Sequence, residues 1–201
     1  MKVMDVSVER RLRGVAHPCC PALPEGDLWV FGYGSLMWDP GFEYAHSTPA
    51  MLRGYHRAFC VYSQRYRGTP ERPGLVLGLD RGGCCRGMAF RVPDDRVEQA
   101  LAALWAREMP RLAYVPRLVP LTVNREKISA LAFVANREHE SYAGRLGLDT
   151  IARTITDCSG ARGPNADYLF NTLRHLDALG IYESRLDEVR YAVQKLQRPR
   201  R

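Results

Sequence analysis

Lysine is scarce. Of 29 basic residues only Lys2, Lys127 and Lys195 are lysines; the rest are arginines, and the formal charge is +7. The arginines are scattered, with no basic stripe interleaved with aromatics and no reader motif, so no nucleic-acid partner is expected. The surplus suits anionic small molecules instead. The tail Arg198-Pro-Arg-Arg201 reads as solvated. No apolar run approaches the ~20 residues of a membrane span, so no membrane partner is expected. Met1 to Arg13 is polar and charged, without an apolar signal core, which points to a cytoplasmic protein. None of the six cysteines (19, 20, 60, 84, 85 and 158) forms a Cys-x-x-Cys pair, which argues against a zinc knuckle or a thioredoxin-type motif and for reduced thiols. The histidines at 17, 46, 56, 139 and 175 show no ligand spacing, and no metal site is expected. Nor is there a dinucleotide fingerprint or a phosphate loop: the third glycine and the Gly-Lys-Ser/Thr run are both missing.

What remains is a chain of 201 residues, long enough for one buried core. Residues 1–26 read as a loose arm and 27–197 as one domain. Strands dominate the first part. Leu28 to Phe31 and Arg57 to Ser63 are two. Leu75–Leu79 and Arg86–Val92 read as two more, joined by a hairpin at Asp80-Arg-Gly-Gly83. Leu118–Val123 and Ile128–Val134 flank Asn124–Lys127 as another hairpin. A polar Gly- and Pro-rich loop spans 65–74. The last third is helical: one helix near Asp149–Asp157, a second capped by Asn165 and stopped by Gly180, a third from Ser184. Strands first and helices later imply an α+β fold, a small barrel or curled sheet packed by helices.

Two features point to chemistry. In Trp29-Val-Phe-Gly-Tyr-Gly-Ser-Leu-Met-Trp38 a strand runs into glycine twice in three residues. Such a loop can gather backbone N–H groups into a concave nest for a carboxylate or an oxyanion, or it can be a plain turn. Ser35 lacks the Gly-x-Ser-x-Gly setting of a nucleophile elbow. The second feature is Glu108. A helix follows Pro93, capped by Asp94 or Asp95 and ended by Pro110, with Val97, Leu101, Leu104 and Trp105 as its apolar face. With Val97 at zero on a helical wheel, Leu101 falls near ~40°, Leu104 near ~−20° and Glu108 near ~20°. Glu108 therefore lies on the centre of the apolar stripe, while Arg107 points sideways. A frayed last turn or a salt bridge to an arginine would make it unremarkable. Burial would raise its pKa toward the range a general acid/base needs.

Taken together, several stretches resemble the ChaC-like family of gamma-glutamylcyclotransferases specific for glutathione. They are Val30-Phe-Gly-Tyr-Gly-Ser-Leu-Met-Trp38, Leu52-Arg-Gly-Tyr-His-Arg-Ala-Phe-Cys60, Arg67-Gly-Thr-Pro-Glu-Arg-Pro-Gly74, Leu104-Trp-Ala-Arg-Glu-Met109 and Gly163-Pro-Asn-Ala-Asp-Tyr-Leu-Phe170. The resemblance covers roughly residues 28 to 196. It implies an α+β cyclotransferase fold around a small mixed or antiparallel β-barrel packed by helices. It implies that Val30, Phe31, Gly32, Tyr33, Gly34 and Ser35 bind the γ-glutamyl group and that Glu108 is the proton acceptor. The implied reaction releases 5-oxoproline and cysteinylglycine from glutathione and needs no cofactor and no metal. Tyr168 is assigned to packing or to substrate contact, and Arg67 to a solvated loop or to the glycine carboxylate of glutathione. Where bacterial relatives often carry Thr-Gly after Arg-Glu-Met, this chain has Arg111-Leu112, a departure that bears on rim specificity. Two other readings stay open: a cyclotransferase for other γ-glutamyl amino acids or amines, and a non-enzymatic regulator of cation transport.

Overall fold

The computed structural model describes residues 20–198. Most of the amino-terminal arm, with His17 and Cys19, and the tail beyond Arg198 lie outside the described residues.

Five strands close into a barrel. They are β1 (Leu28–Gly32), β2 (His46–Ser63), β3 (Gly74–Val92), β4 (Tyr114–Val123) and β5 (Glu126–Ala135), hydrogen-bonded in the order β1-β3-β2-β4-β5. Neighbours are antiparallel except at the closing seam, where β1 runs parallel to β5 with Trp29 opposite Ala130 and Val30 opposite Leu131. Helix α1 (Val97–Glu108) stands between β3 and β4. Helices α2 (Leu148–Asp157), α3 (Asn165–Ala178) and α4 (Ser184–Gln197) follow the barrel, with the two-residue strands β6 (Ser159–Gly160) and β7 (Gly163–Pro164) between α2 and α3. This is the expected α+β barrel.

Strand alternation separates the two larger parts of the core. Leu28 and Val30 of β1, with Leu131 and Phe133 of β5, face Val97, Leu101, Leu104 and Trp105 of α1. Phe31 and Tyr33 turn the other way, into a core shared with Leu52, Leu75, Leu121, Leu169 and Val193. Each fully buried leucine contributes roughly 1.5–3 kcal/mol. Cys20 and Leu23, just before β1, pack against the α1 side.

Three expectations are corrected. Residues 80–83 do not reverse the chain. β3 runs unbroken from Gly74 to Val92, and the reversal lies earlier, in the loop at 64–73 between β2 and β3. Gly82 (φ 94°) and Gly83 (φ 70°) instead face Gly54 (φ 86°) across a register shift between Arg53 and Tyr55. A bulge of this kind bends a long strand pair so that it can close a barrel. Second, the residue that precedes α1 is Arg96, which makes no side-chain cap, and Asp94 and Asp95 lie in a short 3-10 turn, Asp94–Arg96, that leads into the helix. Third, Asn165 opens α3 without capping it. Its side chain accepts a hydrogen bond from Leu75 N (2.6 Å) and donates one to Leu75 O (2.7 Å), pinning α3 to β3. The hairpin at Asn124 and Arg125 is present, with both residues at positive φ (48° and 74°), as a two-residue turn between twisted strands requires. No helix among the described residues is long and apolar enough to cross a membrane.

Candidate active site

β1 ends at Gly32, and the chain turns at once into a short 3-10 helix, Ser35–Met37, closed by Met37 N donating to Gly34 O (2.9 Å). The turn crowds Gly32 most. A side chain there would meet Leu36 and the Phe90 ring at 3.1 Å. Gly34 is different: an added methyl would point into space, 3.7 Å from the Tyr168 hydroxyl. Among the described residues the backbone N–H groups of Gly34 and Ser35 have no hydrogen-bond acceptor. They are adjacent donors at the end of a strand, as the two-glycine pattern suggested.

The sequence-predicted residues separate into two sets. Val30 and Phe31 are fully buried on opposite faces of β1, Val30 against α1 and Phe31 in the barrel core. Their side chains support the loop from below. Gly32 is packed tightly, and Tyr33 is buried, with its hydroxyl donating to Phe133 O (3.0 Å). Gly34 is buried and Ser35 half-buried at the end of the strand.

Glu108 is the last residue of α1, and the turn is not frayed: Met109 N donates to Trp105 O (3.0 Å). The Glu108 side chain is 16% exposed, with Oε1 3.3 Å from Arg107 Nε. Both sequence readings hold in part. An arginine is paired with the carboxylate, yet loss of water raises its pKa, and Arg107 only opposes that rise. Arg107 also donates to Ser35 Oγ (2.7 Å) and to Asp39 O (2.6 Å), so one guanidinium ties the glycine loop to the carboxylate.

Three phenols share this region. Burial pushes Tyr33 and Tyr114 well above the ordinary tyrosine value and Tyr168 up to about 12, and in each the negative charge of Glu108 adds to the rise. All three therefore stay protonated at neutral pH and remain hydrogen-bond donors or acceptors. Tyr114 donates to Leu77 O (3.0 Å), and Tyr168 accepts from Leu77 N (3.4 Å), so one residue of β3 fixes both rings. Helix α3 is held over the loop by the His175 ring stacked on Trp38 at 4.3 Å. Arg67 is not a free loop arginine: it donates to Arg162 O and Pro164 O and lies over the Tyr168 ring. Tyr114 and Arg107 were missed as site residues. Tyr114 carries no local signal, since its partner Leu77 lies on another strand.

The buried thiols do not fit a nucleophile. Burial raises Cys60 and Cys85 to about 12 and also raises Cys158. Cys60 and Cys158 are buried, as expected. One cavity, about 850 Å³, is lined by Arg57, Asp80, Arg137 and Glu183 among others, and a second of about 280 Å³ by Phe42, Glu43 and Arg96. Glu108 and the glycine loop line neither. In the larger cavity Arg57 pairs with Glu183 and Arg137 with Asp80.

The model of the ChaC-like protein family matches residues 28–196. The glutathione-specific gamma-glutamylcyclotransferase of Escherichia coli strain K12 is 37% identical over 191 residues, covering 94% of this chain and 83% of that protein. The glutathione-specific gamma-glutamylcyclotransferase of Schizosaccharomyces pombe is 34% identical over 203 residues, covering 86% and 97%. The crystal structure of the yeast gamma-glutamyl cyclotransferase specific to glutathione superposes with a TM-score of 0.77 at 21% identity, over 86% of this chain and all of that one (100%), which establishes a common fold.

Proposed function

The chain belongs to the ChaC-like protein family, and from that premise we propose that it cleaves glutathione by cyclising the γ-glutamyl group, releasing 5-oxoproline and cysteinylglycine. Residues 27–197 act as one catalytic unit on a small-molecule substrate. We place the reaction in the cytoplasm, where thiols stay reduced; the five described cysteines are all free.

The α-ammonium of the γ-glutamyl group loses a proton to Glu108. The freed amine attacks the γ-carbonyl carbon of the same molecule, and a tetrahedral oxyanion forms. As it collapses, the bond to the cysteinyl nitrogen breaks and Glu108 returns the proton to that nitrogen; the ring nitrogen, still carrying two hydrogens, gives up its second proton through the same carboxylate to the released amine, which leaves as an ammonium. Attacker and target share one molecule, so holding the substrate folded captures a large proximity advantage. The N–H groups of Gly34 and Ser35 donate hydrogen bonds to the negative charge of the γ-glutamyl group. The three neutral phenols surround the acid without competing for its charge. Every proton is accounted for by substrate and Glu108, so the reaction draws on no cofactor.

The observation that carries this reading is one carboxylate, 16% exposed at the end of a packed helix, with its pKa raised by burial. The test is to incubate the protein with glutathione and measure 5-oxoproline and cysteinylglycine, with Glu108→Gln in parallel. Equal release of both products, reduced by ~10²–10⁴ in a folded variant, is the expected result for loss of a general acid/base. Release by both proteins alike removes Glu108 from its role. No release by the wild type removes the substrate. A second reading, turnover of other γ-glutamyl amino acids or amines, is favoured by one observation. Leu112, in the segment that departs from the bacterial pattern and follows the glutamate in sequence, is exposed and holds a φ of 53°. Comparing glutathione with γ-glutamyl-alanine separates the two.

A further inference from the structure

Arg57 lies in β2 with its side chain inside the fold and 0% exposed. A guanidinium taken out of water costs several kcal/mol unless its N–H groups are satisfied. Here Nε donates to Tyr33 O (2.5 Å), Nη2 donates to Arg86 O (2.6 Å) and sits 3.8 Å from Met37 Sδ, and Nη1 forms an ion pair with Glu183. The barrel does not need this arrangement, since the backbone of Arg57 pairs with Leu79 whatever the side chain. The informative partner is Tyr33 O. That carbonyl belongs to the peptide linking Tyr33 to Gly34, in the middle of the glycine loop. The chain has no cis peptide bond among the described residues, and in a trans peptide the C=O and N–H point to opposite sides. Anchoring Tyr33 O on Arg57 therefore turns the Gly34 N–H away from Arg57. That N–H has no acceptor among the described residues, and Gly34 is the glycine whose open side faces the Tyr168 hydroxyl.

We propose that Arg57, held by Glu183, is a positioning residue that fixes the Tyr33–Gly34 peptide so that the Gly34 N–H donates to the oxyanion formed on the γ-carbonyl. The cationic grip on the carbonyl also polarises the peptide and strengthens its N–H as a donor. Lysine is a poor replacement, because a single ammonium lacks the planar fork that reaches Tyr33 O, Arg86 O and Glu183 together. Glu183 reaches Arg57 from the segment that starts α4, so the far end of the fold takes part in aiming a donor at the site.

The proposal rests on the cyclotransferase reading, and its test keeps the two apart. Arg57→Met, Arg57→Lys and Glu183→Gln are compared with wild type for kcat and KM on glutathione, for thermal stability, and for the Gly34 crosspeak in a ¹H–¹⁵N spectrum. Loss of a well-aimed oxyanion donor costs ~10²-fold in kcat, so Arg57→Met is expected near that loss with KM within about threefold of wild type. Arg57→Lys should recover part of it. Glu183→Gln, which alters a partly exposed side chain and leaves Arg57 in place, should lose about tenfold in kcat and displace the Gly34 crosspeak. Wild-type kcat in both Arg57→Lys and Glu183→Gln, with only melting temperature lowered, overturns the proposal, as does a change confined to KM. If the wild type releases no 5-oxoproline, the substrate assignment fails. The crosspeak then decides the positioning role: a Gly34 signal unmoved in Glu183→Gln overturns it.

Discussion

Glu108 bears a charge in a place that disfavours it, and the sign of that penalty can be measured. Burial raises its folded-state pKa above the unfolded value, and Arg107 offsets only part of the rise. Between those two values the folded chain holds the proton more tightly than the unfolded chain does. The stability contribution is therefore full below the ordinary carboxylate range and declines as pH climbs through the raised folded value. Glu108→Gln cannot ionise, so it should melt above wild type at about pH 8, with the gap closing near about pH 4, below the ordinary glutamate value. Thermal melts of both proteins at the two pH values check this; a variant that melts lower at pH 8 means that the Arg107 pair outweighs burial. The same shift predicts that kcat/KM rises with pH along a limb displaced upward from the usual carboxylate range, because only the anion accepts the ammonium proton. The two loop glycines should fail differently. Gly32→Ala forces a methyl against Leu36 and Phe90 at 3.1 Å and should cost about 1–3 kcal/mol in a denaturant melt. Gly34→Ala meets only the Tyr168 hydroxyl at 3.7 Å, so it should leave the melt unchanged while raising KM for glutathione.

Among the elements, α3 is placed by a residue that sequence reading assigned to another task. Asn165 reads as a helix cap because asparagine before an apolar helix usually is one. It is fully buried and spends its amide on both backbone groups of Leu75, which reverses its meaning: it joins elements distant in sequence rather than ending one of them. Asn165→Ala orphans two buried backbone groups and should cost about 3 kcal/mol, measured by denaturant unfolding. Because Tyr168 lies on the same helix, kcat should fall as well. Leu112 gives the opposite prediction. Its positive φ of 53° serves no packing, as the side chain is exposed, so Leu112→Gly should stabilise the fold by up to about 1 kcal/mol. The apolar stripe of α1, the β4–β5 hairpin and the α2 and α4 boundaries were legible because each is written in local periodicity or turn chemistry. The unbroken β3 was not. Gly82-Gly83 supplies the same positive φ to a bulge as to a hairpin, and only Gly54 on the partner strand decides between them.

Over the whole molecule, the site is assembled by barrel closure. The loop comes from β1, the acid from α1, and the phenols of Tyr114 and Tyr168 from β4 and α3. A helical wheel could find Glu108, because the helix that carries it also creates its burial. No local pattern could find Arg57 or Tyr114, whose partners lie far along the chain. The charge of the whole chain is a different kind of feature, legible from composition alone. A formal charge of +7 surrounds a site proposed for glutathione, which at neutral pH carries two carboxylates and one ammonium. Such a field draws the anion in over distances of the order of the Debye length, ~30 Å at 0.01 M salt and ~3 Å at 1 M. If steering contributes, kcat/KM should fall a few-fold as salt rises across that range, while kcat at saturating substrate stays constant. A salt-independent kcat/KM would mean that the exposed arginines serve another purpose and that recognition begins only at the Gly34–Ser35 donors. If kcat itself falls with salt, the screened interaction is one formed in the transition state. The Arg107–Glu108 pair would then be the place to look, since it joins an ionic contact to both the acid and the loop.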